Sequence, residues 1–446
     1  MHRRGLCSFC IFTGKSTFLF GCAGKLWREA SKLHRDLWCV KILPVPCMCG
    51  TKERKSDFME QKTTDLMLKL MHSAVSGEAL SADMRETCTK EEMSRALRLA
   101  AHHDLAHLVA WGAKKNGLAV MLGADGEAYI MKAVYRYQQI KYEYDRLCTS
   151  LEKAEIPFIP LKGAIMRKYY PEPWMRTSCD IDILVHNEDI EKAKKVLMQD
   201  LSYKYESTYT HDVSFFSPAN VHIEIHFDLI EEGIVNASTK VLRDVWNLSF
   251  AKDGCTYWSE IPDDLFYFYH IAHMAKHVLN GGCGIKPFID LLILDNMEGA
   301  DVKSREEMLR RGELLKFTEV ARRLSLVWFG TEKHDELTEK TETYVLGAGV
   351  YGSAENIMVL QRYRKGGKLK YVMTLVFPPY ETMKQLYPIL QKHRWLTPFA
   401  HVRRVLGKLF YRSKMKRAKK ILAQNNSISD EQVESTYRFL LEVGLS

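Results

Sequence analysis

No apolar run in this 446-residue chain reaches the roughly 18 residues that a membrane-spanning helix needs. The mean hydropathy of -0.24 agrees. Internal repeats and long low-complexity segments are missing as well. So is excess charge over most of the chain. Of the net +9, residues 1–55 supply +8, from eleven Lys/Arg against Glu29, Asp36 and Glu53. The remainder is nearly neutral at +1, so bulk charge gives no argument for a nucleic-acid partner. Cysteine thins out in the same way. Six of the eleven lie in the first 49 residues, and the other five are scattered. That is not a disulfide framework, and the body of the chain is expected to be reduced and cytoplasmic. What is present, 46% hydrophobic and 27% charged residues, is the usual make-up of a soluble globular protein of two or three domains.

The first 58 residues stand apart. "CSFC" and "CMCG" offer Cys-x-x-Cys and Cys-x-Cys spacings, the second too short for a zinc knuckle. Arg3 and Arg4 open on a basic note, but Lys15 and two glycines interrupt the apolar stretch a signal peptide would need. We expect residues 1–58 to be an extension of low order, or a start assigned too early, outside the fold.

Three regions follow. From Met59 to Ala154, "KEEMSRALRLAAHHDLAHLVAWGAKK" and "AYIMKAVYRYQQIKYEYDRLCTSLEKA" repeat apolar residues at helical spacing, with Gly123 and Gly126 as punctuation. This predicts a helical region over 59–154. The period then changes. "IPFIPLKG" reads as a strand entering a turn, "CDIDILV" as a strand, and "NEDIEKAKKVLMQDL" as a helix with Asn187 at its N-cap. "YKYESTYT", "DVSFFSP" and "VHIEIHFDL" read as three further strands. The order predicts an α+β domain with a mixed sheet over 155–250. Residues 251–446 read as helical again, ending in a basic tail helix.

Chemistry concentrates in the middle region. A strand alternates faces with period two, so Asp180 and Asp182 share one face while Ile181 and Ile183 take the other. Two carboxylates that close repel unless a cation lies between them, and hard oxygen ligands suit Mg²⁺, with Mn²⁺ as a substitute. In "VHIEIHFDL", His222, Glu224, His226 and Asp228 share a face. Glu224, mid-strand, is the expected third carboxylate, with Asp228 nearer the strand end as its rival. Three carboxylates from neighbouring strands can hold two divalent ions about 4 Å apart for in-line phosphoryl transfer. Upstream, Gly163 would let backbone approach a phosphate, Lys162 would add a cation, and Arg176 could grip a phosphate bidentately.

"FIPLKGAIMRKYYPEPWMRTSCDIDILV" resembles the nucleotidyltransferase superfamily with the DNA polymerase β-like fold. More narrowly it resembles a large bacterial nucleotidyltransferase family that reads Leu-Lys-Gly, Tyr-Pro, Arg, then Asp-Ile-Asp. "VHIEIHF", "HMAKH" with "FIDLL", and "FPPYETMKQLYPILQKHRWLTPFAHVRR" extend the likeness over roughly 60–415. The resemblance implies a polymerase β-like catalytic domain flanked by helical regions. It implies a two-metal Mg²⁺ site on Asp180, Asp182 and Glu224, with Glu224 helping to deprotonate the acceptor. It also implies an NTP, ATP among them, held at Lys162, Gly163 and Ala164. The reaction would move an NMP to an acceptor (small molecule, sugar, RNA or protein) and release pyrophosphate. This chain departs from the superfamily pattern in Gly163-Ala164 for Gly-Ser and in Glu224 for Asp. Those departures also admit a non-catalytic nucleotide- or partner-binding protein on the same fold.

Two further features are notable. His273 and His277 share a helix face and, with Lys276, Asp290 and His226, are candidates to line the cleft. From Arg403 to Lys420 the chain carries nine Lys/Arg and no acid, interleaved with Val, Leu and Phe. We expect a basic amphipathic helix with one side packed on the body. Contact with anionic lipid or nucleic acid is the alternative.

Overall fold

The computed structural model describes residues 53–230, 234–349, 352–410 and 412–445. The readings placed on residues 1–52 lie outside them. The first helix, Glu53–Ser76, begins six residues ahead of the expected start at Met59.

The N-terminal helices form where their caps and periodicity direct. Thr89 opens the helix Lys90–His102 with a capping box: its side chain takes the Glu92 backbone N–H, and Glu92 takes the Thr89 N–H at 3.0 Å. The apolar pattern that continues past residue 102 breaks at Asp104, whose φ of 56° ends one helix before Ala106–Lys115 starts. Gly123, with φ 62°, interrupts the long helix Ala119–Lys153, as its position in the sequence suggested; Gly126 lies within the helix. Gly112 has another reason to be glycine. A Cβ there would lie 2.1 Å from the Leu70 carbonyl oxygen, so the two helices cross at backbone contact.

Between the helical regions lies a mixed five-stranded sheet of order β1-β2-β5-β4-β3. The strands are β1 (Phe158–Pro160), β2 (Asp180–Val185), β3 (Lys204–Thr208), β4 (Asp212–Phe216) and β5 (His222–His226). All five were legible as strands, and the α+β class holds. β2 and β5 run parallel; the other pairs are antiparallel. A hairpin of β6 (Phe250–Ala251) and β7 (Ser259–Glu260) follows, and Phe158 N–H bonds the Tyr257 carbonyl, so the sheet edge gains support from beyond residue 250. The segment after β2 is not one regular helix. It is a 3₁₀ turn at Asn187–Asp189, an α-helix at Ile190–Lys195 and a π turn at Val196–Asp200. Asn187 is not its N-cap: His186 holds that place and no side chain caps the turn.

The sheet divides the core. One face buries Ile181, Ile183, Ile223, Ile225, Val213 and Phe215 against Ile140, Leu147 and Leu151 of the long helix. The helices on either side in sequence form one continuous second core, from Leu70, Met93 and Leu108 to Phe268, Phe288 and Trp328.

A buried histidine in that second core makes stability pH-dependent. His107 lies inside the helix Ala106–Lys115, its Nε2 2.8 Å from the Met175 carbonyl oxygen. Burial depresses it to about 4. The unfolded chain binds this proton near the ordinary histidine value, so stability is present above that value and is lost as pH falls through the interval toward 4. Between pH 7.5 and pH 5 His107 should cost about 2 kcal/mol. Urea unfolding of wild type and His107→Gln at both pH values checks this; the variant should lose that much less on acidification.

Candidate active site

The other face of the sheet is polar across three strands. Residues directly opposite in a ladder point the same way. Asp180 faces His222 and Asp182 faces Glu224 across β2 and β5; Glu224 faces Ser214 and His226 faces Asp212 across β5 and β4. The period-two reading of "CDIDILV" and "VHIEIHFDL" is thus carried by a parallel register that sets the two acid-bearing strands side by side.

This face floors a cleft of about 440 Å³. Asp180, Asp182 and Glu224 line it with Lys162, Gly163 and Arg176, and His273, Lys276, His277 and Asp290 form the opposite wall. Two candidates are not among the lining residues. Ala164 lies one step into the short helix Gly163–Met166. His226 sits behind the acids, 1% exposed.

Asp182 is the electrostatic centre. It is 3% exposed, yet its Oδ1 receives the Lys162 ammonium at 3.1 Å and His226 Nε2 at 3.0 Å. Burial alone would raise its carboxyl; Lys162 and His226 instead hold it well below the usual carboxylate range. His226 is pushed the other way. Burial disfavours its charge, but Asp182 and Glu224, the latter 3.4 Å away, lift it to about 9. The Lys162 charge also favours the Asp180 carboxylate, but burial and repulsion from Asp182 outweigh it and raise the carboxyl. The Lys162 backbone adopts φ 45° and ψ -114°, a conformation side chains rarely take. The positive φ of this turn falls not on Gly163 but on the residue that reaches Asp182.

The carboxylates of this face are of the kind that can hold a divalent cation. Ligand atoms of Asp182, Glu224 and His226 lie within 4.8 Å of one another, the one such cluster among the described residues. Two positively charged groups already converge on Asp182. Asp180 lies outside the tight cluster, one strand step away on the same face.

The structure also shows what Arg176 does. Its Nε donates to both oxygens of buried Asp290, at 2.7 and 2.9 Å, and Nη1 donates to its neighbour's carbonyl. Asp290 further accepts the Tyr170 hydroxyl at 2.7 Å. The guanidinium is therefore committed to a buried ion pair that joins the two walls, and the phosphate grip expected of it competes with that pair. His273 and His277 do share a helix face, within Asp263–Leu279, and meet at 3.2 Å between their Nε2 atoms. Burial, His277, Lys162 and Lys276 all keep His273 neutral.

Several residues escaped sequence reasoning. Arg167 bonds the Arg176 carbonyl and the Ser178 hydroxyl, and Ser178 donates to the Asp180 carbonyl at 3.0 Å. Arg136 reaches the Cys179 carbonyl at 2.8 Å. Together they fix the strand entry that carries the aspartates. Tyr209, His211 and Asp212 enter the cleft from around the turn between β3 and β4. Asp212 shows in the alternation of "DVSFF"; the others have no local signal. Lys286 lines the cleft while holding Asp104 and the Thr177 carbonyl, each at 3.1 Å.

No helix among the described residues is long and apolar enough to cross a membrane. No curated protein and no solved structure matches the chain. One family model does, that of an uncharacterised nucleotidyltransferase, over residues 89–330, a span that takes in the whole cleft. With more than half its length inside that match, the chain belongs to this nucleotidyltransferase family.

Proposed function

We propose that the protein transfers a nucleoside monophosphate from an NTP to an acceptor and releases pyrophosphate, using divalent cations held by Asp180, Asp182 and Glu224. The observation that carries this reading is the register that places Asp182 beside Glu224, with Asp180 on the same face, on the floor of one cleft opposite basic side chains. Bound at these carboxylates, Mg²⁺ or Mn²⁺ would neutralise charge developing on the transferred phosphoryl group. The protein's own residues do the rest. Lys162 and Lys276 give the triphosphate a positive wall. His226, fully enclosed, fixes the orientation of the Asp182 carboxylate. Glu224 is half-buried at the cleft surface and accepts the acceptor's proton as its oxygen bonds to the α-phosphorus. The bond from that phosphorus to the bridging oxygen breaks, and pyrophosphate carries the electron pair away.

Titration of Mg²⁺–NTP by calorimetry into wild type and Asp180→Asn tests the reading. Binding is expected for wild type and at least roughly tenfold weaker for the variant, since a carboxylate beside the ion is lost. Equal binding would overturn it. Binding without transfer of α-phosphate label to any component of a cell extract would favour a nucleotide-binding protein, the reading that Ala164 and Glu224 also admit.

A further inference from the structure

The helix Thr397–Phe410 packs on the body without burying all of its apolar residues. Phe399, Val402 and Leu406 recur at spacings of three and four and form one stripe, which Trp395 of the preceding 3₁₀ turn Arg394–Leu396 extends with its ring centroid 6.3 Å from that of Phe399. That stripe points to solvent, with Trp395, Phe399, Val402 and Leu406 69%, 65%, 59% and 47% exposed. The side turned inward mixes Ala400 and Val405 with His401 and Arg404. Arg404 Nη1 donates to the carbonyls of Leu375 and Val376, at 3.1 and 2.8 Å, at the end of the helix Lys368–Val376. His401 meets Phe377 edge-on with ring centroids 5.7 Å apart. Ala400 is buried beside Met383 and Leu390, which pins the helix in this orientation. One side of this helix packs on the body, as expected, but the basic stretch Arg403–Lys420 is divided between Thr397–Phe410 and a second helix, Arg412–Ser427.

We propose that this stripe is a docking surface for an anionic lipid membrane. Charge selects the occupant. Between Glu381 and Asp430 the chain has twelve Lys/Arg and not one acidic residue. Arg403 lies beside the stripe and is itself exposed. A chain segment with charge of one sign that carries an exposed stripe with Trp and Phe matches a surface with phosphate headgroups outside and acyl chains beneath. A nucleic acid would satisfy the charge but offers nothing to Val402 and Leu406, which neither stack on bases nor hydrogen-bond. An acid-free segment also disfavours pairing with its own copy, which would bring the same positive charges together.

The experiment is sedimentation of the full-length protein with vesicles of phosphatidylcholine alone and of phosphatidylcholine mixed with phosphatidylserine. Partition onto the mixed vesicles is expected, weakening as salt is raised. The double variant Trp395→Glu/Phe399→Glu should bind them at least about tenfold less, since two apolar anchors become charges. Its thermal unfolding and its Mg²⁺–NTP affinity should match wild type, because both side chains lie at the surface and neither lines the cleft. Equal partition onto neutral vesicles would overturn the proposal. So would unaltered binding by the double variant, or retention of single-stranded RNA without vesicle binding. A dimer in light scattering that the double variant dissolves would also overturn it, assigning the stripe to a second copy.

Discussion

Asp182→Asn should lower nucleotidyl transfer by on the order of 10³-fold or more, a loss of about 4 kcal/mol of transition-state stabilisation. The substitution keeps shape and volume, so the strand has no steric reason to move. What disappears is the one carboxylate that meets both the Lys162 ammonium and His226. Two groups that are cationic beside it would then face each other across a neutral amide, and the pocket would repel rather than hold a divalent ion. Stability should fall in the metal-free protein for the same reason. Asp180→Asn provides the contrast. Asp180 is raised by burial and by repulsion from Asp182, so neutralising it relieves a conflict. Asp180→Asn is therefore expected to unfold at a higher temperature than wild type in the absence of metal, and to lose transfer all the same. Measuring pyrophosphate release and melting temperature on both variants separates the chemistry from the fold. If Asp182→Asn retained wild-type release, the assignment of the cleft would be wrong.

Both aspartates were legible because a strand's period is two and its neighbour's register merely aligned what each segment already displayed. "DIDILV" and "HIEIHF" each carry acids on one face and isoleucines on the other, so any pairing that buries the isoleucines gathers the acids. Arg176 was legible as a cation near the site but not as the partner of Asp290, 114 positions away. Nothing local distinguishes an arginine that faces a phosphate from one that faces a buried carboxylate. The positive φ at Lys162 was missed for a related reason. A Lys-Gly pair directs attention to glycine, while the reach of the lysine to Asp182 is a tertiary fact. The segment Arg403–Lys420 was legible as amphipathic, but the exposed stripe starts ahead of it at Trp395, and periodicity does not say which side packs. The hydrogen bonds of Arg404 to the end of another helix decide that.

Arg176 and Asp290 bear the second large effect. Asp290 is fully buried and Arg176 nearly so, and they join the loop before β2 to the helix Lys286–Asp295. Removing one partner of such a pair leaves an uncompensated charge inside the protein and costs about 3–5 kcal/mol. Arg176→Met and Asp290→Leu should each show that loss in urea unfolding, and the double variant should recover much of it. Recovery in the double variant would show that the penalty is the stranded charge, not the lost side-chain volume. The pH dependence of Arg176→Met is opposite in sign to that of wild type, because the carboxylate it leaves behind is the group that titrates. In wild type, burial would raise the Asp290 carboxyl, but Arg176 outweighs it and holds the carboxyl low. That contribution is present above the unfolded carboxylate value and is lost as pH falls through the folded one. Without Arg176, burial is opposed only by the Tyr170 hydroxyl and His270, and the folded value of Asp290 rises. Arg176→Met should then be least handicapped in acid and most handicapped at neutral pH, so its stability deficit narrows as pH drops toward 4. A deficit that stayed constant across that range would mean Asp290 carries no charge in the folded protein. Because the pair spans the two walls of the cleft, the same variants should raise KM for the NTP more than they lower kcat: the acids on β2 stay in place while the wall carrying His273 and Lys276 loses its tether.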